Sequence, residues 1–80
     1  MNIREISNKR LANLYHDTYA AYATIHNIRH DHIEENVRFE FNELYYIAEK
    51  EHSKVYAEIK IRCIRTEFDV RSFIDHYSNH

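Results

Sequence analysis

Two runs of this chain alternate apolar and polar residues, and the runs match each other. Val55, Ala57, Ile59, Ile61 and Cys63 occupy every second position, with Glu58, Lys60 and Arg62 between them. Upstream, Val37, Phe39, Phe41, Tyr45 and Ile47 repeat the pattern around Arg38, Glu40 and Asn42. A period of two places successive apolar side chains on one face of a strand. Folding the runs together about Glu51 sets Ile47 opposite Val55, Tyr45 opposite Ala57, Phe41 opposite Ile61 and Phe39 opposite Cys63. The other face then pairs Glu40 with Arg62 and Tyr46 with Tyr56. The pattern predicts an antiparallel hairpin over Asn36 to Ile47 and Lys54 to Ile64, turning at Glu49 to Ser53. Glu43 interrupts the apolar face, so the ribbon forms two strands or, broken there, three.

Helical periods flank the ribbon. Leu11, Leu14, Thr18, Ala21, Ile25 and Ile28 follow a three-four spacing, widened by Tyr15 and Tyr22. This predicts a long helix from Ser7, its N-cap, to Arg29. Val70, Phe73, Ile74 and Tyr77 form a shorter stripe, preceded by Thr66 and Asp69 at capping-box spacing. The expected fold is α+β in the order α-β-β-α, one domain over residues 1–80, with both helices on the ribbon's apolar face. The alternative is an all-α helical hairpin, because residues 43–58 contain good helix formers. The hairpin's turn is its weak joint: it has no Asn-Gly or Gly-Gly pair.

Composition narrows the picture. An 80-residue chain buries only about 60% of its unfolded surface, which leaves a marginal core. Cys63 is the one cysteine, so no internal disulfide supports that core, and a lone buried thiol fits the cytoplasm. With no glycine and no proline, turns must fall to Asn, Asp or His. The formal charge of −2 gives no bulk nucleic-acid footprint. No apolar run reaches membrane-spanning length, and residues 1–4 lack the apolar core of a signal peptide.

Candidate chemistry is sparse. Without glycine there is no phosphate loop or nucleophile elbow. The scattered carboxylates form no acid–base pair, so no enzymatic activity and no cofactor are expected. The function that remains is a small protein-binding regulator or inhibitor, of the kind phages and mobile elements encode to block a host complex. Its contact surface would be the ribbon's outer face, Tyr46, Tyr56, Arg38, Lys60 and Arg62, with Tyr19 as a second patch, because tyrosine and arginine anchor interfaces. Open strand edges, or a helix face, would also allow a homodimer. A nucleic-acid regulator using the same basic and aromatic face is the second reading. The third is a metal site. His26 and His30 lie one helical turn apart with His32 close by, and imidazoles at that spacing bind zinc or nickel.

Overall fold

A computed structural model of the chain describes residues 2–30 and 35–78, and the side chains of residues 2–27 and 40–78. A short 3-10 turn, Ile3–Glu5, leads into helix α1, Asn8–His30. Helix α2 then runs unbroken over Glu35–Thr66, and α3 spans Val70–Tyr77. Among the described residues there is no strand. The expected α+β hairpin is therefore overturned: both of its strands and its turn belong to one 32-residue helix.

The physical reason lies in what alternation means on a helix. Residues two apart are about 200° apart around a helix axis. An every-second-residue pattern therefore splits into two opposed stripes. Val55, Ile59 and Cys63, four apart, face inward, where Val55 and Ile59 are buried and Cys63 packs against them. Ala57 and Ile61 fall on the opposite side and are exposed. Glu49 to Ser53 contains no residue that forces a turn, and helix propagation continues through it. The cross-strand pairs and the strand-edge route to a homodimer go with the hairpin.

The helix ends follow local chemistry. Ser7 Oγ accepts from the Arg10 amide at 3.1 Å, which caps α1 as the sequence predicts. Asp69 caps α3 alone, accepting from the Ser72 amide at 2.7 Å. Thr66 is not part of a capping box: it is the last residue of α2, and its hydroxyl donates to the Arg62 carbonyl at 2.9 Å. Between α2 and α3 the chain turns at Glu67, whose φ is 63°. Its amide donates to the Cys63 carbonyl at 3.0 Å, the left-handed C-terminal cap that glycine usually supplies. In a glycine-free chain this position falls to a glutamate rather than to Asn, Asp or His.

Helices α1 and α2 run antiparallel, since contacts pair Asn8 with Arg62, Thr18 with His52 and Tyr22 with Tyr45. The core sits at one end of this pair. There Leu11 and Ala12 from α1, Val55 and Ile59 from α2, and Phe73 and Ile74 from α3 are buried together. Ile3, Ile6 and Tyr77 pack against them. No helix among the described residues is long and apolar enough to cross a membrane.

Candidate functional site: the outer face of α2

Helix α2 carries a stripe of apolar residues and lysines that is largely exposed among the described residues. Ile47, Lys50, Lys54, Ala57, Ile61 and Ile64 follow a 3-4-3-4-3 spacing and therefore share one face. Ile47 is 56% exposed, Ile61 47% and Ile64 83%. Tyr46 borders the stripe at 64% exposure. A Lys54–Glu51 ion pair of 3.4 Å lies at its edge, with both side chains more than half exposed. Isolated surface apolars need no explanation, but Ala57, Ile61 and Ile64 together, with Ile47 beyond two lysines, make this face a candidate contact surface.

The residues expected to form one contact face are dispersed by the helix. Tyr46 and Tyr56 are ten residues apart, about 15 Å along the axis, and not side by side. Tyr56 instead lies beneath Lys60, whose Nζ is 5.4 Å from the ring centroid. Tyr19 is half exposed and stacks on Tyr15, with ring centroids 6.3 Å apart. The side chain of Arg38 lies outside the described residues. Arg62 turns inward. Its Nε donates to Glu58 Oε1 at 3.1 Å, Nη1 to Asn8 Oδ1 at 3.0 Å, and Nη2 to the carbonyls of Ile3 and Arg4 at 3.1 and 3.4 Å. Among the described residues, the basic and aromatic ribbon face is not reassembled on this helix.

Between the helices, beyond the core, runs a seam of tyrosine and histidine. Tyr22 and Tyr45 share a hydroxyl hydrogen bond of 2.9 Å, which is the main reason the Tyr22 phenol is held above its ordinary value. His26 Nδ1 lies 3.3 Å from the Tyr45 hydroxyl. His52 packs against Tyr15, Tyr19 and Tyr22, at centroid distances of 4.8, 5.7 and 6.1 Å. The Thr18 hydroxyl donates its one hydrogen to the Leu14 or Tyr15 carbonyl, at 2.9 and 3.2 Å. Its oxygen also lies 2.9 Å from His52 Nδ1. Burial pushes the His52 imidazole below its ordinary value. It also raises the Cys63 thiol, with the Asp69 charge adding to the effect, so Cys63 is not an activated nucleophile.

Of the three histidines considered for metal, only the His26 side chain is described, and it belongs to the tyrosine seam. The side chain of His30 and the whole of His32 lie outside the described residues. Among the described residues no three metal-ligating side chains gather.

Comparison of the chain with known protein families, with curated proteins and with solved structures finds no match. The sequence reading passed over Ile47, Ile61 and Ile64 as contact residues. The signal was present as the 3-4 spacing from Ile47 to Ile64. The strand register absorbed Ile47 and Ile61 into a core and left Ile64 beside Tyr46 and Tyr56.

Proposed function

We propose that this protein is a small non-enzymatic regulator or inhibitor that works in the cytoplasm by binding a protein partner along the outer face of α2. The observation that supports this reading most is the exposed apolar row Ile47, Ala57, Ile61 and Ile64, bordered by Tyr46. An apolar helix face of this kind fits a complementary groove or helix on a partner, with anchors one helical turn apart. Tyr46 supplies a rigid aromatic anchor, and the Tyr56–Lys60 pair supplies a polar flank. A partner groove with a carboxylate rim would also neutralise Lys50 and Lys54, which interrupt the stripe.

The test uses the full chain as bait in its native host, followed by calorimetry with the partner recovered. Replacing Ile47 and Ile64 by Asp should leave the circular dichroism unchanged, because both side chains are more than half exposed. It should weaken partner binding by about 2 kcal/mol or more, the loss expected at interface anchors. Binding that survives both substitutions would sink this assignment.

A further inference from the structure

The base of the helix pair holds a second feature, separate from the apolar face of α2. A concavity of about 340 Å³ opens between the N-terminal turn, the start of α1 and the end of α2. Its lining includes Arg4, Asn8, Glu58, Arg62, Arg65 and Thr66. Three guanidinium groups therefore face one carboxylate, and that carboxylate is already paired, Glu58 with Arg62 at 3.1 Å. The volume lies at the small end of ligand clefts, which run from about 300 to 1,000 Å³.

The charges are arranged rather than scattered. Arg62, nearly buried, fixes the floor: one hydrogen bond holds Asn8 and two hold the backbone of Ile3 and Arg4. These bonds position the turn that carries Arg4. Arg65 lies one helical turn beyond Arg62, and Thr66 is tied to the Arg62 carbonyl. Arg4 and Arg65 have no side-chain hydrogen bond or ion pair among the described residues, and both are exposed. Asn8 gives its carbonyl oxygen to Arg62, so its amide N–H groups remain as donors. The first turn of α1 carries Lys9 and no carboxylate, and the exposed Glu5 and Glu67 beside Arg4 and Thr66 do not line the concavity.

Two exposed guanidinium groups and an amide lining one concavity, with a third arginine fixed by its own hydrogen bonds, suit a tetrahedral oxyanion. Arginine binds phosphate by paired N–H···O contacts with charge on both sides. We propose that this concavity is a binding site for phosphate, either the free ion or a small phosphomonoester, gripped by Arg4, Arg65 and Asn8.

The test is a nuclear magnetic resonance titration of the full chain at low ionic strength, with inorganic phosphate in one arm and phenyl phosphate in the other. Saturable shifts should appear at residues 4–8 and 62–66. The double variant Arg4→Gln/Arg65→Gln should bind about tenfold more weakly, since two charge-assisted contacts are removed. Arg71→Gln, which removes one exposed guanidinium on α3 that does not line the concavity, should bind like the parent. Tighter binding of phenyl phosphate assigns the site to organic phosphomonoesters, and equal binding assigns it to the free ion. The proposal fails if no saturable shift appears at tens of millimolar in either arm. It fails equally if the double variant titrates like the parent, or if Arg71→Gln loses as much as the double variant.

Discussion

Arg62 spends four of its five N–H donors inside the protein, and Glu58 beside it is 8% exposed. A nearly buried ion pair of this kind adds little by existing, but removing one partner strands the other charge. Arg62→Ala should therefore destabilise the fold by about 3–5 kcal/mol, and pairing it as Glu58→Gln/Arg62→Met should recover part of that loss. Urea unfolding of the three chains measures both, and an Arg62→Ala chain as stable as the parent would contradict the inward placement. Residue-level chemistry was legible in the sequence where it was local. Ser7 as a cap, and Val70, Phe73, Ile74 and Tyr77 as one stripe, depend on neighbours within a turn. Arg62 was not legible, because its partners Ile3, Arg4 and Asn8 are more than fifty residues away. A charged residue in an alternating run is assigned to solvent by default.

The same locality decides what could be read at the scale of elements. Helix α1 ends within one residue of its expected boundary, and α3 occupies its expected span. Helix α2 was misread because an alternating run is compatible with a strand that buries one stripe or a helix that buries one and exposes another. The α1–α2 seam carries a pH dependence. The groups described facing His52 are Thr18, Tyr15, Tyr19 and Tyr22, and no carboxylate is among those contacts. Burial lowers its pKa in the folded chain, so folding favours the neutral ring. The contribution is complete above the unfolded value of about 6.5 and declines as pH falls below it, toward the lower folded value. Thermal melts from pH 7.5 to 5.5 should show falling stability, with a shallower slope in His52→Gln. Equal slopes in the two chains would exclude His52 as the group responsible.

The whole molecule is long rather than round. Its radius of gyration is 14.8 Å and its longest extent 46 Å, against about 11.6 Å for the radius of a compact chain of this length. The buried core occupies one end, where all three helices meet. The distal part of the pair is held by ring contacts and hydroxyl hydrogen bonds, with few buried apolar groups among the described residues. Regions with so little apolar burial open first. Amide exchange should therefore be faster around residues 22–27 and 40–46 than around residues 11–15 and 55–59. Uniform exchange along both helices would contradict this gradient.

The alternation that split into two helical stripes has one more consequence. Val55 to Ile64 is helical here because α1 and α3 cover its inner stripe. Released from them, the same ten residues meet the conditions for a cross-β segment: β-branched, alternating, and free of proline and glycine. Glu58, Lys60 and Arg62 interrupt that pattern as charged gatekeepers. A partner seated on the outer face of α2, as proposed above, would also shield this segment from self-assembly.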